Sequence, residues 1–343
     1  MAAYISFQPS DFFNTVLYTG NASTNAITGV GFQPDMIWIK NRTATGDHSL
    51  YDSPRGTTKC LVPNGNDEEQ TYATGLTAFG ADGFTVGSQA IVNGNTNDIA
   101  SWNWKAGTTS GLSGGTITPS AYSFNATSGF GAYAFTGNGV SGATIAHGLG
   151  TKPGLIIVKE IGTAGAWIVQ HQSLGATKCI YLNTTAAADT DSTRWNDTEP
   201  TSTLFSLGND GEVNGNTQTY IAYVWAGTEG FSKFSSYLGN GNADGAFLYT
   251  GFRPAYVLVK KTNGTGSWWM FDNKRLGYNP ANNRLYADDN AVGATATVID
   301  LVSNGFKFRT TDGDLNGDGN NIIYAAFSEF PIVSSNDVPG VAR

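Results

Sequence analysis

A ten-residue signature occurs three times in this chain. Gly31-Phe32-Gln33-Pro34-Asp35-Met36-Ile37-Trp38-Ile39-Lys40 is matched by Gly150-Thr151-Lys152-Pro153-Gly154-Leu155-Ile156-Ile157-Val158-Lys159. It is matched again by Gly251-Phe252-Arg253-Pro254-Ala255-Tyr256-Val257-Leu258-Val259-Lys260. A repeat constrains the fold more than composition does, because one structural plan must serve every copy. The copies also substitute for an alignment. What all three share reads as architecture; what one copy holds alone is a candidate for function.

The correspondence extends beyond the signature. An aromatic-x-Gly-Asn turn precedes each copy, at Tyr18–Asn21, Phe135–Asn138 and Tyr237–Asn240. Each later carries an Asn-Gly pair (Asn93-Gly94, Asn214-Gly215, Asn316-Gly317) and closes on an alternating strand ending at Trp104, Trp225 or Phe327. Each unit is therefore the size of a small independent domain rather than of a solenoid repeat. The expected division is a first module over 1–108, a Thr/Ser/Gly linker over 109–120, a second module over 121–230, a third over 231–331 and a tail over 332–343.

The 44 Gly and 11 Pro punctuate short β-branched and aromatic runs, and no stretch sustains a helical period. This pattern predicts an all-β chain of three tandem antiparallel β-sandwich domains, jelly-roll or lectin-like in form. The signature runs are apolar at successive positions, so they read as central strands covered on both faces. Pro34, Pro153 and Pro254 precede the runs, where a missing N–H leaves the ladder intact.

Net charge is −8, from 19 Lys and Arg against 27 Asp and Glu, with no basic run. That balance argues against a nucleic-acid partner, which calls for clustered cations. The N-terminal residues lack a basic segment followed by an apolar one, so no signal peptide is expected. No apolar stretch reaches transmembrane length, so no membrane insertion is expected. Cys60 and Cys179 occupy the same place in two copies, which is poor geometry for a mutual disulfide. Free thiols folded in a reducing cytosol are expected.

Three features are candidate sites. Asp312, Asp314, Asn316 and Asp318 follow the first half of a calcium-loop pattern, which would supply clustered oxygens to that cation. Its twelfth position is Ile323 rather than Glu, and the other copies keep only the Asn-Gly pair. The competing reading is a hairpin turn in which Asn-Gly supplies positive φ. Trp195, in the polar 189–201 segment, offers an indole face to a sugar ring or partner surface; the alternative folds it back onto its own module. Trp268 and Trp269 are adjacent on a strand, so one faces in and the other out. Trp268 aligns with Trp167 and reads as core, leaving Trp269 as the surface candidate.

Catalytic patterns are sparse. His48, His147 and His171 fall at different repeat positions, and no metalloprotease, nucleophile-elbow or Cys/His metal spacing occurs. The acidic residues Asp189, Asp191, Asp197, Glu199, Asp288 and Asp289 could pair for glycoside hydrolysis only if the fold set them at the right separation. A non-enzyme is expected.

Several segments carry a resemblance: Tyr4–Thr15, Gly31–Pro34 with Trp38–Arg42, Trp102–Gly107, and Phe330–Asn336. Across nearly its whole length the chain resembles a family of tandem-module virion structural proteins, tail-fibre-like, of tailed bacteriophages, notably marine and cyanobacterial ones. Members often place Cys between the two tryptophans where this chain has Asn103. The resemblance brings no catalytic residues. It implies a virion component assembled in the host bacterial cytoplasm, with other virion proteins as partners and a homo-oligomer, by analogy a trimer. It further implies a tail fibre or tail-associated adhesin touching host surface glycan. The alternatives are a capsid decoration or head-fibre protein and, less favoured, a glycan-degrading tailspike.

Overall fold

In a computed structural model, residues 7–275, 279 and 281–330 are described. The tail over 332–343 and the first residues of the Tyr4–Thr15 segment lie outside them. The chain is nearly all β, in several antiparallel sheets.

Each copy builds its main sheet in the same order: a lead strand, the closing strand, the signature strand and the strand after it. In the first these are Phe13–Thr19, Asp98–Trp104, Met36–Asn41 and Ser49–Asp52. In the second they are Phe130–Thr136, Thr219–Ala226, Pro153–Glu160 and Trp167–His171. In the third they are Ser232–Leu238, Asn321–Ser328, Pro254–Lys261 and Trp269–Asp272. The signature strand is thus central in every copy, as its unbroken apolar run predicts.

Period-two alternation sends its side chains to two different cores. Ile37 and Ile39 pack with Val86, Phe84 and Ile99 inside the first module. Ile156 and Val158, and Val257 and Val259, do the same in the second and third. The intervening residues, Met36 and Trp38, Leu155 and Ile157, Tyr256 and Leu258, all join one further core to which every module contributes. Aromatic rings fill it. Trp104 lies 6.1 Å from Trp225, 5.9 Å from Tyr256 and 5.5 Å from Phe327 between ring centroids.

The modules are also joined edge to edge by backbone hydrogen bonds that repeat cyclically. Gly165 N–H donates to Asn66 O at 2.8 Å, Gly266 N–H to Thr185 O at 2.9 Å, and Gly46 N–H to Asn290 O at 3.1 Å. A second set follows: Glu69 to Ile161 O, Ala188 to Thr262 O, and Gly293 to Arg42 O. A loop of the first module therefore docks on the second, the second on the third, and the third back on the first. This is a heterologous, head-to-tail contact that closes after three steps, made within one polypeptide. Units of independent-domain size thus bury one face of their main sheet only by meeting one another. The 109–120 segment, expected as a linker, lies against the second module, with Ile117 buried and bridged to Ile145.

Candidate functional site

The two candidate tryptophans are both interior. Trp195 ends a short helix, Ser192–Trp195, capped by the Asp191 carboxylate accepting from Thr193 N–H at 2.9 Å. The polar neighbours that make this segment look solvated satisfy one another. Arg194 pairs with Asp191 at 3.1 Å, Asp210 at 2.5 Å and Glu212 at 2.7 Å. Beneath them the indole is fully buried in the second module's core. Trp269 is buried as well. It stacks near Phe271, meets Tyr286 edge-on and lies under the Arg284 guanidinium, 4.9 Å from its ring centroid. The expectation that one of Trp268 and Trp269 faces solvent fails because both faces of this strand are covered, one by the module core and one by the shared core.

Asp312, Asp314, Asn316 and Asp318 are not gathered around one point. Asp314 pairs with Lys261 at 3.0 Å and accepts from Ser267 N–H at 3.1 Å. Asp312 accepts from Asp314 N–H at 2.8 Å. The Asn316 amide is spent on the turn at Asn240. Among the described residues, no group of three or more His, Cys, Asp or Glu side chains is placed to hold a metal.

The Asn-Gly pairs are not hairpin turns. Asn93 and Asn214 end one-turn helices, Ala90–Asn93 and Gly211–Asn214, and the following glycines keep negative φ, −56° at Gly94 and −57° at Gly215. Each Asn is a buried staple onto the aromatic-x-Gly-Asn turn. Asn214 Oδ1 accepts from Asn138 N–H at 2.9 Å, while Nδ2 donates to Gly208 O at 2.8 Å and Val140 O at 3.0 Å. Asn93 and Asn316 repeat this with Asn21 and Asn240. The approach explains the glycine beside each turn. A Cβ on Gly20, Gly137 or Gly239 would sit 2.1, 2.4 or 2.2 Å from a carbonyl oxygen of Gly94, Gly215 or Gly317.

The signature lysines are wholly buried, and two of them, Lys40 and Lys260, bond across module contacts. Lys40 Nζ donates to Asn41 O at 2.8 Å and reaches Asn290 O of the third module at 3.2 Å. Lys260 Nζ donates to Thr185 O of the second at 2.9 Å, and Lys159 Nζ to Glu160 O at 2.6 Å. Burial pushes each down to about 8.

Buried polar pairs also cross the interfaces near the shared core. Tyr223 OH donates to Asp52 Oδ2 at 2.6 Å and Trp102 Nε1–H to Asp272 Oδ2 at 3.1 Å. The second module holds His171 where the others hold these aspartates. Its Nε2–H donates to Tyr324 O at 3.1 Å, and its Nδ1 accepts from Ser173 N–H. Burial pushes His171 down to about 4 and His48 to about 3, the latter helped by Lys40. His48 Nδ1 accepts from the Trp38 indole at 2.8 Å, and its Nε2–H donates to Asp289 O. His147 is committed in the same way, to Leu149 N–H and Thr201 O. Cys60 and Cys179 are free and buried, and burial pushes both thiols up, away from reactive thiolate.

A cleft of about 500 Å³ lies where the first module meets the 109–120 segment, lined in part by Asp35, Ser53, Lys105 and Tyr122. Asp35 is committed there, accepting from Ser53 Oγ at 2.6 Å, Ser123 Oγ at 2.8 Å and Ala106 N–H at 2.7 Å.

The exposed aromatics among the described residues lie elsewhere: Phe330 at the end of the third module, and a pair on one strand. Phe247 and Tyr249 flank Leu248 on the short strand Phe247–Tyr249 and are 46% and 59% exposed. Lys233 donates to Tyr249 O at 2.9 Å and holds its ammonium 5.3 Å from that ring's centroid. The ladder partners Leu248–Phe306, Ile27–Phe84 and Ile145–Phe205 set the equivalence between copies. Phe247 and Tyr249 therefore replace Ala26 and Thr28, and Thr144 and Ala146. Sequence reasoning passed over this pair, although an aromatic-x-aromatic in one copy only was the available signal.

These features define a class: an all-β protein of three sequence-related sheet modules, closed head to tail about a shared core. Within it, the chain belongs to the family described as a domain of unknown function, DUF7483, whose pattern matches residues 8–331 and so spans all three copies. No curated protein and no solved structure matches it.

Proposed function

We propose that this protein is a non-enzymatic structural component on the outside of a bacteriophage particle, a tail fibre or tail-associated adhesin that touches host surface glycan. Its modules are, in this reading, antiparallel sandwiches of jelly-roll or lectin-like form acting as a rigid mount. The observation that carries the contact role is the exposed Phe247–Tyr249 pair, which the third copy alone possesses. Two flat aromatic faces on one side of a strand, with Lys233 beside them, suit the apolar face and hydroxyls of a sugar ring. The polar groups common to the copies support a structural role, because their hydrogen bonds go to neighbouring backbone and to the adjoining module. A glycan array probed with the intact chain and with Phe247→Ala/Tyr249→Ala tests the reading. Binding that survives the double substitution removes this surface, and release of sugar from host polysaccharide removes the non-enzyme claim.

A second reading, a capsid decoration or head-fibre protein, is favoured by the threefold internal repetition. Three near-equivalent modules present three near-equivalent surfaces to a partner with local threefold symmetry. Copy number per particle separates the two: hundreds of chains indicate decoration, a few indicate the tail.

A further inference from the structure

The first and third modules share a buried motif, and the third lacks one part of it. In the first, Arg55 donates through Nε to Asp52 Oδ2 at 2.6 Å, through Nη2 to Leu50 O at 3.3 Å, and through Nη1 to Glu69 Oε2 at 3.1 Å. In the third, Arg275 donates through Nε to Asp272 Oδ2 at 2.7 Å and through Nη2 to Met270 O at 3.0 Å. Its Nη1, the counterpart of the atom that holds Glu69, is buried and has no partner among the described residues. The Arg275 side chain is 1% exposed.

The missing partner can be located. Glu69 N–H donates to Ile161 O, and Gly293 N–H makes the equivalent bond to Arg42 O. Gly293 therefore occupies the place of Glu69. No backbone requirement demands glycine there. A Cβ would meet nothing closer than 3.6 Å, an ordinary contact. Where the Glu69 side chain would extend there is a pocket of about 180 Å³, lined by Arg42, Thr43, Arg275, Asn283 and Gly293. A second cation is added at this interface. Arg42 stands where the other copies have Ile161 and Thr262, its Nε is buried without a partner, and its nearest carboxylate, Asp98, is 4.0 Å away. In the first module Glu69 bonds both Arg55 and Lys59, whereas here, among the described residues, Arg275 has Asp272 alone and Arg42 has only the half-exposed Asp98 at 4.0 Å. A buried guanidinium N–H without an acceptor is costly, and a charge-assisted bond to a carboxylate relieves it.

We infer that the pocket between the third and first modules binds a small free carboxylate anion, which takes the position that the Glu69 carboxylate holds in the first module. Arg275 Nη1 and Arg42 Nε are its donors. At about 30 Å³ per water-sized volume, the pocket admits a carboxylate of a few carbon atoms.

The test uses the whole chain and acetate. Thermal midpoints are measured across an acetate series against sodium chloride at matched pH and ionic strength, for wild type and Gly293→Glu. The expected result is a saturable rise with acetate in wild type, and in Gly293→Glu a higher midpoint in chloride with no further acetate response. No acetate-specific rise in wild type overturns the proposal, and so does an equal rise in Gly293→Glu. If Gly293→Glu does not fold, Arg42→Gln leaves the Asp272–Arg275 pair intact and must raise the half-saturating acetate concentration by about tenfold, the effect of losing one charge-assisted bond. An unchanged half-saturation overturns the proposal. Phe247 and Tyr249 lie outside this pocket, so glycan binding and acetate binding fail independently.

Discussion

Replacing Asn214 by Asp changes one atom type and converts a fully satisfied group into a repulsive one. The carboxylate keeps the acceptor for Asn138 N–H but sets a charged oxygen against Gly208 O and Val140 O, now at 2.8 and 3.0 Å from Nδ2. The buried side chain escapes this only by taking up a proton. Holding a carboxyl protonated at pH 7, about three units above its ordinary value, costs about 4 kcal/mol. Asn214→Ala lacks the charge and loses about 2–3 kcal/mol, chiefly from the carbonyls left unpaired. The sign with pH follows from linkage. The introduced carboxyl has its folded pKa raised above its unfolded value, so its deficit is full above the folded value and shrinks as pH falls toward about 4. Urea unfolding followed by tryptophan fluorescence, for wild type and both variants at several pH values, should show Asp worse than Ala at pH 7 and better than Ala near pH 4. Acid effects common to all three proteins cancel in the differences. A hairpin Asn-Gly turn accepts Asp nearly as well as Asn. An Asn214→Asp variant within about 0.5 kcal/mol of wild type at pH 7, the range of an ordinary surface change, would refute the staple.

Other outcomes follow from the same geometry. Gly137→Ala, whose Cβ would lie 2.4 Å from Gly215 O, should cost more than about 3 kcal/mol, whereas Gly313→Ala, with open space around its Cβ, should stay within about 0.5 kcal/mol by the same urea assay. His171 is buried neutral with its folded pKa lowered to about 4, so its contribution is complete above the unfolded value and is lost as pH falls from about 6.5 toward 4. His171→Gln should flatten the wild-type melting curve against pH in that window, and an unchanged slope would count against the assignment. Asp314→Asn should lower the melting temperature equally in Ca²⁺ and in EDTA, since its carboxylate serves Lys261 and Ser267; a loss confined to Ca²⁺ would restore the calcium-loop reading.

The parts of the fold that sequence made legible are those the three copies share. The unbroken apolar signature run required cover on both faces, and the strand is central in all three sheets. What sequence did not reveal was the identity of the second cover, because Met36, Leu155 and Tyr256 give no sign of facing a common core rather than three private ones. Solvent exposure is hidden from the sequence for a related reason. The polar residues around Trp195 are polar because they pair among themselves, above an indole that they do not expose. The dipeptide Asn-Gly carries a strong prior for a positive-φ turn, and here tertiary hydrogen bonding to a second turn overrides it. Comparison of copies does recover Phe247 and Tyr249, but only once strand register has defined which residues are equivalent.

Three copies in one polypeptide permit interfaces that a homotrimer of single modules could not have. Symmetry would force every Asp52 to meet the same donor, whereas here Asp52 receives a tyrosine hydroxyl, Asp272 an indole N–H, and the matching position in the second module is His171, a donor facing a backbone carbonyl. That inversion is consistent chemistry. The third module has Ala325 where the others have Trp102 and Tyr223, so it brings no side-chain donor, and an aspartate opposite it would be buried without a partner at a cost of several kcal/mol. His171 removes that cost by donating. The second module correspondingly has Leu174 where Arg55 and Arg275 stand, because without the aspartate a buried guanidinium would have nothing to neutralise it. Substitutions at 171, 174 and 325 thus make sense only as a set. At the remaining interface Gly293 stands in the place of Glu69 and leaves Arg275 Nη1 and Arg42 Nε without acceptors among the described residues, which is where the inferred anion has a place to go.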